Sequence, residues 1–323
     1  MDLPPEETLR WVLRAYAEIR TALNRRGGPA AAPLELRPGA AGTPRLVQPD
    51  GEFFPDEFHH DMPSLERLLG RMAGYSPIGS GAALGVHLLE AEGEACESGG
   101  GCGCGSEEGA GERSGRVDPA DEGYRVWIRP RDAGRAEVLT AVMARAIGAI
   151  VLHEAAAEID DRRSEMAAVA CGFGVLLVNG AAIWGKACGG LRMTRATALT
   201  VEELAVALAL FGGLHGIRPS TTRRHLETTQ RAAFDVAHDW VESNPMLLEE
   251  LRDRPQILEG GVFDVEPVRG VIGRWFHKRR LEREMRAVAT APPPIAMTDD
   301  KQRRLREARA LVDEVMGAVD SEE

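Results

Sequence analysis

EVLTAVMARAIGAIVLHEAAAEIDDRRSEMAAVACGFGVLLVNGAA, residues 137–182, is the stretch whose reading decides the fold. Apolar residues dominate 138–152 and again 166–182, and between them lies an acidic turn, EAAAEIDDRRSE, at 154–165. A helix that is apolar nearly all round is a core helix, so the segment predicts two buried helices joined by a solvated turn. Ala and Gly are frequent in both halves, which suits close approach of one helix to another.

Within this stretch His153-Glu154 begins the pattern His-Glu-x-x-His, but the fifth position is Ala157. Two His at i and i+4 share one helical face and reach one metal, with the intervening Glu polarising its water. A catalytic zinc needs three protein ligands and an open position, which one His and a distant carboxylate do not supply. The simpler reading of His153 is a polar last turn, where a His interacts favourably with the helix dipole. Glu154, Glu158, Asp161 and Glu165 would form one acidic stripe on a continuous helix, a carboxylate cluster of the type that holds magnesium or calcium. Arg162 and Arg163 sit among these acids and favour a solvated, charge-compensated turn instead.

The 323-residue chain has 39 basic and 50 acidic residues, a formal charge of -11, and only 5% aromatics. That balance disfavours general nucleic-acid binding and calls for a core built from Ala, Leu and Val. The start, MDLPPEETLRWVLRAYAEIR, lacks a basic region followed by an apolar run, and five cysteines make no disulfide scaffold, so the expected location is the cytoplasm. Met166–Trp184 is the candidate membrane span, but its Ala/Gly content and Asn179 argue against spanning, and no membrane partner is expected.

Outward from the centre, Pro4–Asn24 has amphipathic helical spacing, followed by a Pro/Gly/Ala-rich loop, so residues 1–50 form an N-terminal helix and arm. A short helix is expected at Pro63–Met72 with Ser64 as its cap. Ala82–Glu90 and Tyr124–Arg129 are the best strands and would pair as one long hairpin. Residues 91–123 between them hold nine acidic and two basic residues, many glycines, and Cys96, Cys102 and Cys104, and are expected to be a disordered insertion. Those three cysteines would bind zinc only with a fourth ligand from elsewhere, and their spacing fits no common finger. Thr200-Val201-Glu202-Glu203 is a capping box that opens a helix through Leu214. A long helix is expected over Ser220–Ser243, another from Pro245 to Arg252, and charged helices at 274–287 and 298–319. The fold class is therefore α+β, mostly α-helical, with a small β-hairpin or sheet and a helical C-terminal extension over 217–323.

Three smaller signals remain. Gly172-Phe173-Gly174 lacks the third glycine of a nucleotide loop and reads as close packing; Cys171 beside it reads as a core residue. His59-His60-Asp61 is a loop cluster that would need further ligands to hold a metal. RWFHKRRLEREMR at 274–286 is basic and aromatic, but Glu282 and Glu284 interrupt it, favouring a solvated or partner-binding helix over a nucleic-acid or anionic surface contact.

The order of pieces resembles a group of bacterial proteins of zincin-like metallopeptidase type. The resemblance spans 52–216 and rests on FFPDEF at 53–58, LERLLGRMAGY at 65–75, the two strands, AVMARAIGAIVL at 141–152, Glu165, GFGVLLVNGA at 172–181 and EELAVALALFGGLHG at 202–216. In that alignment Arg145 stands at the first His, Ala146 at the general base and Ala149 at the second His. Asp161 and Glu165 fall on a carboxylate pair, and Asn179 on a helix-end Asn. The resemblance thus implies a zincin-like core, 52–216, that has lost peptidase chemistry, with no cofactor expected. Its role would be binding or scaffolding, with another protein as partner. An alternative is a metal-dependent hydrolase built around His153, Glu154, Asp161 and Glu165, and a third reading is an adaptor acting through helix 274–286.

Overall fold

The computed structural model describes residues 2–26, 45–79, 83–89, 114–187 and 190–267. Its centre is α4 (Ala136–Glu154), nearly all of whose side chains from Val138 to Leu152 are buried. Ala156, with φ +52°, turns the chain out of that helix, and Asp160 caps α5 (Asp161–Ala168) by accepting from the backbone N–H of Arg163 at 2.8 Å. The acidic stripe is therefore broken: Glu154 ends one helix and Asp161 starts the next. α5 runs into a π-helical turn (Val169–Phe173) and then α6 (Gly174–Gly180), so the apolar stretch 166–184 is no single helix. Among the described residues α4 alone is long and apolar enough to cross a membrane, and most of it is buried inside the fold.

Gly172 makes that break. Its φ of +98° suits glycine, and a Cβ there would sit 2.2 Å from the carbonyl oxygen of Arg45. Its own carbonyl accepts from Val47 N–H at 2.9 Å, so the close partner is the extended segment 45–47 as well as a helix. Gly174 does face a helix: its added Cβ would meet Leu208.

Around this centre pack α1 (Glu6–Arg26), α2 (Met62–Gly74) and α7 (Val201–His215). The Thr200–Glu203 capping box forms as its spacing predicts, and α7 ends on Gly216 in the left-handed region. The cap of α2 is Asp61, whose carboxylate accepts from Ser64 N–H at 2.8 Å, where the sequence favoured Ser64 itself. Pro63 in the first turn fixes this start one step earlier than expected.

The sheet departs further from expectation. β1 (Leu84–Leu88) and β3 (Gly123–Ile128) pair in parallel, and the hairpin partner of β3 is β2 (Arg116–Ala120). The order is β1-β3-β2, which makes β2 an edge strand and accommodates Pro119, whose missing N–H disrupts only interior ladders. The stretch 91–123 thus contributes a strand at its end; the rest of it, with Cys96, Cys102 and Cys104, lies outside the described residues. A second, two-stranded sheet, β4 (Ile183–Ala187) and β5 (Gly190–Thr194), begins where the apolar run 166–184 ends and continues through sequence for which no element is predicted.

After short α3 (Pro130–Ala133) in the centre, the later elements are α8 (Pro219–Arg223), α9 (Thr228–Ser243), α10 (Pro245–Asp253) and α11 (Pro255–Glu259). The long helix expected over 220–243 is split, because Leu226 turns inward and is buried in the link. Phe234 and Trp240 of α9 pack into the same core as α7, and α11 packs against α1. One compact unit accordingly runs through Arg269, joining the N-terminal helix, the centre and α8–α11, rather than breaking at residues 51 and 216. The helices expected at 274–287 and 298–319 lie outside the described residues. The protein is an α+β fold, mostly helical, with little sheet.

Candidate functional site

Two of the residues singled out above, Arg145 and Glu165, form a buried ion pair, while Asp161 and Asn179 lie apart from it. Arg145 on α4 is 8% exposed and Glu165 on α5 is fully buried, with Nη1 3.4 Å from Oε1. The guanidinium also donates to the carbonyls of Ala196, at 3.1 Å, and Ser114. Glu165 accepts backbone N–H bonds from Ala198 at 2.7 Å and Leu199 at 2.8 Å. Burial raises the pKa of Glu165, opposed by the Leu199 N–H, the Arg145 guanidinium and the Ala198 N–H. The pair ties two core helices to the approach to β2 and to the segment after β5. Ala146 is wholly buried and Ala149 half-buried, so neither adds a polar group here.

Asp161 does not join this cluster as a second ligand set; it is half-buried in the first turn of α5. Glu158 pairs with Arg163 at 2.9 Å, and Arg163 also reaches Asp160 and Glu18 at 3.2 and 3.3 Å. Arg162 pairs with Glu203 at 2.6 Å and lies 3.9 Å over the Trp11 ring. Arg163 thus compensates acids of the turn, while Arg162 is directed to Glu203 of α7. Among the described residues no three His, Cys, Asp or Glu side chains gather as a metal-binding group.

His153 and Glu154 do meet a third residue that sequence reasoning missed. Tyr124 of β3, almost buried, donates its hydroxyl to Glu154 and lies 2.9 Å from His153 Nδ1. With the phenol proton directed at the carboxylate, the second bond runs from Nδ1–H to the phenol oxygen. The available signal was the alternation of Tyr124, Val126 and Ile128, which puts Tyr124 on the inward face of its strand. His153 and Glu154 are exposed on the last turn of α4, so the cluster opens to solvent and has the groups to relay a proton.

Other candidates have structural uses. Asp61 caps α2, His60 (φ +57°) bonds through Nδ1 to Ala133 O at 3.1 Å, and exposed His59 lies 3.7 Å from Glu57. Cys171 is buried, and burial pushes its thiol pKa up to about 12, which leaves it an inert core residue. Asn179 Nδ2 donates to His225 O at 2.9 Å. Beside the turn 155–160, a cleft of about 240 Å³ is lined by Thr21, Leu152, Ala156, Glu158, Arg163 and Glu259.

His215 lies at the end of α7 with its ring largely buried. Burial first, then Arg20 and Arg252, lower its pKa from 6.5 to about 4. The unfolded chain therefore takes up a proton near pH 6.5 while the folded chain resists until about pH 4. Stability from this group is complete above pH 6.5 and is lost as the pH falls toward 4. A His215→Gln variant is expected to flatten that acid limb in denaturation at several pH values; an unchanged limb would place the acid sensitivity elsewhere.

No protein-family model matches the chain, and no curated protein and no solved structure matches it.

Proposed function

We propose that the chain is a zincin-like pseudo-peptidase that acts as a binding or scaffolding module for another protein. The observation that carries this reading is the surroundings of Arg145. On the resemblance, its position belongs to the first His ligand of a zinc, and here a guanidinium lies there in a cage of Glu165 and two carbonyl oxygens. A fixed organic cation takes the carboxylate and repels a metal ion from the same space. Ala146 supplies no base to activate water, and general-base assistance alone contributes about 10²–10⁴-fold in rate. The expected result is that purified protein carries no stoichiometric zinc by elemental analysis and cleaves no peptide library.

A second reading, a metal-dependent hydrolase around His153 and Glu154, draws on their contact with Tyr124. One zinc per chain that disappears in His153→Ala would promote it over the first. Zinc that disappears only in Cys102→Ser would mark a structural cysteine site and leave the non-catalytic reading in place.

A further inference from the structure

We propose that the β4–β5 hairpin is a docking element for an anionic lipid surface, with Trp184 and Met193 entering the interface. The two residues are cross-strand partners in register, and they are 56% and 51% exposed. Directly opposed side chains on one face act as a unit, so this is a contiguous apolar pair rather than two scattered residues. Beyond pairing with each other, β4 and β5 make few contacts with other described elements. A lone two-stranded hairpin is marginal in water unless one face is covered. Among the described residues its anchors are at the root, buried Ile183 and Arg135 Nη1 donating to Thr194 Oγ1 at 3.4 Å.

Charge selects the occupant. The chain carries -11, yet no Asp or Glu lies between Glu165 and Glu202, while Lys186, Arg192 and Arg195 all fall in or beside the hairpin. Arg195 and Arg135 are exposed at its root, with Glu137 on the first turn of α4 as the neighbouring acid. An aromatic beside basic residues matches the headgroup level of a bilayer, where indole rings partition and each nearby Lys or Arg adds attraction to anionic lipid. Size argues against a protein partner on this element alone. Two half-exposed large side chains present about 200–300 Å², well below the about 800 Å² per partner of a stable protein interface. A lipid surface requires no matching shape. The inference is independent of the pseudo-peptidase reading, since it uses none of the residues near Arg145.

The test is co-sedimentation of the intact chain with phosphatidylcholine vesicles, with and without phosphatidylglycerol, alongside a single-stranded oligonucleotide. Binding is expected only to the anionic vesicles, with a blue-shifted emission that Trp184→Phe removes. Trp184→Ala/Met193→Ala should weaken it at least about tenfold, Lys186→Gln, on the same face of the hairpin, about fivefold, and Arg192→Gln, opposite Gly185 on the other face, less. Raising salt from about 0.1 M to about 1 M should weaken it further, as the Debye length falls from about 10 to about 3 Å. Absence of binding to the anionic vesicles overturns the proposal, as does equal binding to neutral ones. Vesicle binding untouched by the Trp184/Met193 double variant would also overturn it, placing the contact elsewhere in the chain. Oligonucleotide binding lost in the same variants, without vesicle binding, would make the hairpin a nucleic-acid element instead.

Discussion

Glu165→Ala is expected to lower the unfolding free energy by about 3–5 kcal/mol, because it leaves the buried guanidinium of Arg145 without its carboxylate. The substitution also orphans the backbone N–H groups of Ala198 and Leu199, each bonded to one carboxylate oxygen. Such a loss measures the cost of breaking the arrangement and not the net worth of the pair. The double variant Arg145→Met/Glu165→Met separates the two: it removes both charges and should recover a large part of the loss in urea denaturation. A single-variant loss below about 1 kcal/mol would mean that water reaches the pair, as in exposed ion pairs. The pH dependence gives an independent check. Burial holds the pKa of Glu165 above its ordinary 4.5, so on raising the pH the unfolded chain loses this proton first. Stability from this group is therefore complete below about pH 4.5 and declines as the pH rises through the folded value. Glu165→Gln should remove that decline. A site whose ionisation costs stability, but whose bonds join four separate segments, contributes arrangement more than strength.

The helices were legible in the sequence where one face or one cap decides them. The run 138–152 is apolar nearly all round and reads as a buried helix, and Thr200 with Glu203 specifies a start by local hydrogen bonds alone. Strand partners were not legible, because alternation in Leu84–Leu88 and Tyr124–Ile128 says which face is buried and nothing about direction. β2 was hidden by its composition: Pro119 and the preceding acidic glycine-rich run look like loop, and only an edge position makes them acceptable in a strand. The site divides in the same way. Arg163 beside Glu158 was readable from neighbours in sequence, whereas Arg145 depends on carbonyls 31 and 51 residues away, and Tyr124 is 29 residues from His153. Carbonyl oxygens carry no residue-type signal at all, so a cage built from them is invisible before folding.

The second large effect is expected at Gly148, where the backbone of α5 lies directly against α4. A Cβ added there would lie 1.9 Å from the carbonyl oxygen of Ser164 and 2.9 Å from the amide nitrogen of Ala168. These are main-chain atoms of α5, so no rotamer change relieves the contact and the helices must separate. Two effects oppose each other in Gly148→Ala. Helix propensity gains about 1 kcal/mol, while overpacking costs about 1–3 kcal/mol and more where backbone must move. Overpacking wins, and Gly148→Val, with its larger branched side chain, should be destabilised by at least about 3 kcal/mol. Gly70 in α2 supplies the contrast: nothing lies within 4 Å of its added Cβ, so Gly70→Ala gains propensity without a clash and should stabilise by about 0.5–1 kcal/mol. Thermal melts of the two Ala variants should therefore shift in opposite directions; shifts of the same sign would refute the close backbone approach. Separation of α4 from α5 would also stretch the Arg145–Glu165 contact, which bridges the same two helices. Gly148→Val combined with Glu165→Ala should then lose less than the two single variants together, because the first substitution has already loosened what the second removes.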